Sequence, residues 1–252
     1  MLHPGLVSIT FRQLTPAEII ALVAQAGLSG IEWGGDVHVP PGDPAQAQTV
    51  ARMTAEAGLQ VAAYGSYYRL SHPDSGPFEA VLQTAVALGA PAIRVWAGRQ
   101  GTDQADEVYW QAVVDDSRRC ADLAAEAGIT LVYEFHGNTL TDTNEAARTL
   151  LERVNHPHLK SYWQPPRYSK LADNLAGLEA VFPWLYGLHV FTWHAETGQR
   201  LPLVEGADLW AQYLAKASAK GEDQFALIEF VVDDAPEQFL RDAATLKTWL
   251  SQ

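Results

Sequence analysis

Short apolar runs suited to strands alternate along this chain with longer segments whose apolar positions recur every three or four residues, and the pair repeats eight times. Compact apolar runs and two-residue alternation mark strands, and a period near 3.6 marks amphipathic helices. The expected strands are LVSITFR (6–12), GIEWG (30–34), LQVAAYGSY (59–67), AIRVWAG (92–98), ITLVYEFHG (129–137), LKSYWQ (159–164), LYGLHVFTW (185–193) and FALIEFVV (225–232). The first helix begins at Thr15, because the run TPAE supplies an N-cap hydroxyl, a proline at the first helical position and Glu18 where a capping box needs it. The first four helices stop at Gly27, Gly58, Gly89 and Gly128, each followed by an apolar residue that opens the next strand. Later helices are read at TNEAARTLLERVN, LADNLAGLEAVF, ADLWAQYLAKASA and PEQFLRDAATLKTWL.

Strict alternation of strand and helix predicts a parallel sheet. A repeat of this spacing also fits a solenoid, and an open doubly wound sheet is the other alternative. Eight units with strongly apolar strands favour closure into a single (β/α)8 barrel. The 252 residues match the length of about 250 typical of that fold. No linker or low-complexity segment interrupts residues 1–252, so one domain is expected.

Composition narrows the function. The chain is 48% hydrophobic, yet no apolar stretch approaches the roughly 18 residues of a membrane span. Its N-terminal segment MLHPGLVSITF lacks a basic region and a cleavage site, so a cytoplasmic protein is expected. The single cysteine, Cys120, excludes an internal disulfide and falls in a helical pattern, where a buried structural thiol is the simplest reading. A net charge of -13 opposes nucleic-acid binding, and Arg118-Arg119 is the only adjacent basic pair.

Four metal-capable side chains end the last four strands: Glu134, Gln164, His189 and Glu229. The carboxyl ends of barrel strands converge on one face. Any one of these residues reads as a strand cap. Together, two carboxylates, an imidazole and a carboxamide suit one divalent ion such as Mn2+, Zn2+ or Mg2+.

Through LVYEFHG, YWQPP, LHVFTW and LIEF, with GLSGIEW at the second strand, the chain resembles the xylose isomerase-like TIM barrel superfamily, the sugar phosphate isomerase/epimerase group. The resemblance covers nearly the whole chain. It implies metal ligands Glu, Asp, His and Glu on strands five to eight, which fall on Glu134, Gln164, His189 and Glu229. Gln164 departs from that pattern and removes one negative charge. Where the family often has a further histidine this chain has Arg167, which suits a substrate carboxylate or phosphate. Glu32 resembles a strand-two glutamate that contacts substrate in the family.

Other strand-end residues agree with a small-molecule, sugar-like substrate. Trp33, Trp96, Trp163 and Trp193 offer flat faces for a sugar ring, and core packing is the bland alternative for each. Arg12, Arg94 and Arg200 offer anion or hydroxyl recognition, while His38 and His136 are possible substrate contacts. His156 and His158 precede the sixth strand and belong to the opposite, structural face. The implied activity is metal-dependent isomerisation or epimerisation of a small sugar or related polyhydroxy carbonyl compound. Glu134 and Glu229 would pass a proton through an enediolate. The alternatives are a dehydratase or lyase acting on a sugar-derived or cyclitol acid, and a non-catalytic sugar-binding barrel. An endonuclease IV-like nuclease is disfavoured by Gln164, Arg167 and the acidic charge.

Overall fold

Along strand β5 (Thr130–Tyr133), Leu131 and Tyr133 pack with the helices, whereas Val132 packs with residues of other strands. That two-residue alternation is repeated around a closed barrel in the computed structural model, which describes residues 1–166 and 170–251. In chain order the elements are β1 (Leu2–Val7), α1 (Pro16–Ala26), β2 (Gly30–Gly34), α2 (Pro44–Glu56), β3 (Gln60–Arg69), α3 (Phe78–Leu88), β4 (Ala92–Trp96), α4 (Glu107–Glu126), β5 and α5 (Asn144–Val154). They continue with β6 (Leu159–Trp163), α6 (Leu171–Val181), β7 (Leu185–Val190), the short strands β8 (Thr192–Trp193) and β9 (Arg200–Leu201), α7 (Ala207–Ser218), β10 (Gln224–Ile228) and α8 (Pro236–Leu250). Every barrel pairing is parallel, and β1 closes the ring against β10 with Leu6 opposite Ile228. The chain folds as a single (β/α)8 barrel.

Local signals act where the sequence places them. Thr15 and Glu18 form a complete capping box at α1, and Pro16 opens the helix. Gly27, Gly58, Gly89 and Gly128 all take left-handed φ values between +65° and +74°, which a side chain would strain. Thr143 caps the start of α5 and Asn155 its end. Among the described residues, no helix is long and apolar enough to cross a membrane.

Two packed layers result. Val7, Ala62, Ala63, Ala92, Val132, Tyr162 and Leu227 form one cluster inside the ring. A larger one lies between ring and helices, where each fully buried leucine or valine contributes about 1.5–3 kcal/mol. Cys120 is fully buried there on α4.

Several expected strands end early, the fifth at Tyr133 and the eighth at Ile228, and two turn out of the barrel. The first ends at Val7, because Ser8–Phe11 turns as a 3-10 helix. The seventh leaves the barrel after Val190, and Thr192–Trp193 pairs antiparallel with Arg200–Leu201 in a separate hairpin. Neither break has a glycine or proline to announce it.

Candidate active site

Alternation in the strands decides what enters the barrel mouth. Val132, Tyr162 and Leu227 belong to the inner layer, so Glu134, Gln164 and Glu229, two residues on, face the same side. Gly187 leaves room for Tyr162: a β-carbon there would lie 2.8 Å from the tyrosine ring. His189 follows on the inner side and packs on that ring at 4.5 Å. Ala92 likewise sends Arg94 inward. These residues form the floor of the mouth.

The floor is a chain of contacts. Arg94 Nε donates to Glu32 Oε1 at 2.6 Å, and Arg94 Nη1 donates to Glu134 Oε2. Trp96 Nε1 also donates to Glu134 Oε2. Gln164 Nε2 lies 3.4 Å from Glu134 Oε1, and Gln164 Oε1 lies 3.0 Å from His189 Nδ1. The other imidazole nitrogen, Nε2, faces Glu32 Oε2 at 3.4 Å. Glu229 Oε2 is 3.7 Å from His189 Nδ1 and has no hydrogen-bond partner among the described residues.

Charge explains the titration of the set. Burial pushes the Glu32 carboxyl up, but Arg94 and His189 overcome it and hold the group down at about 2. Burial also opposes ionisation of Glu134, yet Arg94 and His189 pull it below the ordinary carboxylate range. Glu229 is raised to about 7 by burial and by the neighbouring Glu134 and Glu32, against the pull of His189 and Arg94. His189 is held above the ordinary histidine range: burial works against its charge, and Glu229 and Glu32 outweigh it. Three glutamates outnumber the one permanent cation, Arg94, and only protons held on His189 and Glu229 offset the excess of negative charge.

That excess is what a divalent cation relieves. Ligand atoms of Glu134, His189 and Glu229 all lie within 4.8 Å of one another, and all three residues are buried. The unpartnered Glu229 oxygen supports the same fit, because a buried acceptor without a donor is costly. Gln164 stands beside the trio as a neutral oxygen donor. If His189 held an ion through one ring nitrogen, the nitrogen that faces Glu32 would give the carboxylate–histidine pairing that orients metal-binding imidazoles.

Above the floor opens a cavity of about 620 Å³. Arg12, Trp96, His136 and Trp193 line it, as do Arg94, Glu134, Gln164 and Glu229 of the floor. Arg12 is tied to Asp36 at 2.6 Å and to the Tyr67 hydroxyl at 2.7 Å.

Five expected substrate contacts lie elsewhere. Trp33 and Trp163 are fully buried on the outer side: Trp33 Nε1 donates to Thr54 of α2, and Trp163 packs edge-on against Tyr213 of α7 at 5.0 Å. Each adjoins an inward residue, Glu32 or Gln164, so alternation turns it outward. Glu32 itself is fully buried and orients Arg94 and His189 instead of touching the cavity. His38 is buried between Ser8 Oγ and the Leu14 carbonyl. Arg200 pairs with Asp234, donates to the Val231 carbonyl and lies over the rings of Phe230 and Trp193, so it clamps the β8–β9 hairpin. Arg167 lies outside the described residues. His156 is at the N-terminal side of β6, 3.2 Å from Asp122.

The structure adds wall residues that the sequence reading passed over: Tyr67, Phe135, Phe191 and Phe230. Tyr67 and Phe230 both have φ +59°, a left-handed conformation rare for bulky residues. Tyr67 ends the expected third strand, which was a usable signal. Phe230 had none.

Barrel, inward carboxylates and buried histidine define an enzyme class whose chemistry is done at the strand ends. The chain belongs to the xylose isomerase-like TIM barrel family, whose model matches residues 20–249. It is 25% identical over 269 aligned residues to a 3-dehydroshikimate dehydratase of Bacillus anthracis, covering 92% of both chains. The crystal structure of a probable 3-DHS dehydratase from Bacillus anthracis superposes with a TM-score of 0.81 at 22% identity, over 98% of this chain and 99% of that one. The 3-keto-D-glucoside 4-epimerase of E. coli superposes with a TM-score of 0.74 at 17% identity, over 98% and 100%.

Proposed function

We propose that this chain is a metal-dependent enzyme that draws a proton from the carbon beside a carbonyl in a small, ring-shaped polyhydroxy compound, and that the ring then loses water. The observation that carries this reading is the buried Glu134, His189 and Glu229 trio beneath a cavity walled by Tyr67, Phe135, Phe191, Trp193 and Phe230. A divalent cation held by those three residues, with Gln164 beside them, would supply a Lewis acid for the carbonyl oxygen as it gains charge.

The chain's own groups divide the remaining work. Glu134, kept ionised by Arg94, is the base that takes the carbon-bound proton. Glu229, which follows β10 and lies three strands around the ring from β5, and His136 on the wall can return a proton to the departing hydroxyl. Aromatic walls favour a flat ring over an extended polyol and keep bulk water from the reacting carbon. Dehydration is preferred because the relative matched over 92% of both chains is a dehydratase. Epimerisation is the second reading. Two carboxylates on separate strands could reach opposite faces of one carbon, and the first step is the same.

Incubating the metal-loaded protein with 3-dehydroshikimate, and separately with a 3-keto-glucoside, in deuterated water distinguishes the outcomes. A conjugated dehydrated product, followed by ultraviolet absorbance, is expected from the first compound. Deuterium in recovered or epimerised sugar with no dehydration would favour the second reading. If neither compound reacts or exchanges a carbon-bound hydrogen, proton abstraction from this substrate class is wrong.

A further inference from the structure

Trp96 ends β4 on the cavity wall, where the sequence reading gave it a sugar ring to pack on. Its ring already has neighbours. The Arg69 guanidinium carbon lies 3.7 Å from the ring centroid, and the His136 imidazole stacks on it at 4.8 Å with 19° between planes. Its one polar atom is directed at the floor, where Nε1 donates to Glu134 Oε2, the oxygen that also accepts from Arg94 Nη1. An indole N–H can only donate. It therefore needs an acceptor, and the one it reaches is the Glu134 carboxylate. With two donors on Oε2, the second oxygen of Glu134 is left toward Gln164 and, through Gln164, toward His189.

We infer that Trp96 is a positioning residue for Glu134: its N–H, together with Arg94, immobilises Oε2, so that the orientation of the whole carboxylate is fixed. Arg69 and His136 hold the indole in the plane that this requires. The inference rests on the reading of Glu134 as a metal ligand. It replaces the sugar-stacking role expected of Trp96. The same contact also couples the wall to the floor, because a shift of His136 on substrate binding would be felt at Glu134 through the indole.

Mn2+ titration calorimetry on the wild type, Trp96→Phe, Trp96→His and Glu134→Ala tests this without relying on turnover. Trp96→Phe keeps an aromatic ring but loses the donor, and Mn2+ should bind 10- to 100-fold more weakly, the usual effect of losing a partner that orients a ligand. Trp96→His restores a ring N–H and should recover part of the affinity. In kinetics, Trp96→Phe should lower kcat with KM little changed. Unchanged Mn2+ affinity with a raised KM would make Trp96 a substrate-stacking residue and overturn the inference. Equal weakening in the Phe and His variants would assign the loss to packing and overturn it as well. If Trp96→Phe does not fold, Arg69→Gln leaves the indole in place and removes one of its supports. A several-fold weaker Mn2+ affinity supports positioning, and an unchanged one overturns it. A wild type that takes up no Mn2+ would end the reading of the trio as a metal site. A wild type that binds it as tightly as Trp96→Phe would end this inference alone.

Discussion

Replacing Arg94 with methionine removes the one arginine of the floor and leaves Glu32 and Glu134 without the cation they share. Arg94 is 2% exposed, and both glutamates are buried. Removing one partner of a buried ion pair costs about 3–5 kcal/mol, because the remaining charge is uncompensated. Titration gives a similar figure. Arg94 and His189 together hold the Glu32 carboxyl at about 2 rather than 4.5, which stabilises the folded, ionised form by about 3 kcal/mol, so the share of Arg94 is at most that. For a chain of this length, about 3–5 kcal/mol lowers Tm by roughly 6–20 °C. The pH dependence carries the diagnosis. In the wild type a depressed carboxyl contributes stability above its unfolded value near 4.5, lost only as pH falls toward 2. In Arg94→Met, burial raises both carboxyls, so the penalty is full at neutral pH and relaxes as they take up protons in acid. Differential scanning calorimetry at pH 7 and pH 4.5 should show a large gap in Tm that narrows at the lower pH. A gap of equal size at both values would make the loss one of packing, and a cost under about 1 kcal/mol at pH 7 would remove Arg94 as the organiser of the floor.

Gln164→Glu adds a charge without changing length, 3.0 Å from His189 Nδ1 in the present arrangement; divalent-ion affinity should rise at least about tenfold, or about 1.4 kcal/mol, and an unchanged affinity by calorimetry would move residue 164 out of the metal site. Elemental analysis of protein purified without chelator should find one divalent ion in the wild type and little in His189→Ala or Glu134→Ala; equal metal in all three would dismiss the trio. Glu134→Gln and Glu229→Gln should each slow exchange of a substrate carbon-bound hydrogen with deuterated water by about 10²–10⁴-fold, with metal content measured beside the rate. Wild-type exchange in both would make these residues structural. Gly65→Ala would put a β-carbon 2.7 Å from Arg94 Nη2 and 2.8 Å from Glu32 Oε1, so a loss of about 1–3 kcal/mol is expected by thermal unfolding; a stable variant would mean the floor yields easily.

Much of the barrel was legible because its signals are local. The Thr15–Glu18 box, the glycine stops and the apolar runs each act over a few residues, and closure follows from their number. The convergence of Glu134, His189 and Glu229 was legible for a related reason: two-residue alternation persists to the end of their strands. The aromatic contacts were harder. Glu32 and Trp33 are neighbours, as are Trp163 and Gln164, and alternation forbids both members of a pair from entering one pocket. That conflict was present in the sequence. Deciding which member turns inward depends on pairing across the sheet, including the register shift between Ile31 and Glu32 against β3. The β8–β9 hairpin and the left-handed Tyr67 and Phe230 depend on contacts between residues far apart in the chain, such as Phe230 N to Thr10 Oγ1 at 3.2 Å. No window of neighbouring residues encodes them.

Arg200 fastens the β8–β9 hairpin from outside the cavity, through Asp234 and the rings of Trp193 and Phe230. On the proposed reading, the part that would admit a substrate is therefore separable from the part that would act on it. The hairpin delivers Trp193 to the wall but supplies none of the buried Glu134, His189 and Glu229 trio. Exchanging its tip, residues 194–199, or resizing Trp193, would retune which ring is admitted while the proton-handling apparatus stays intact. For directed evolution, that makes the hairpin the first segment to diversify and the strand ends the last.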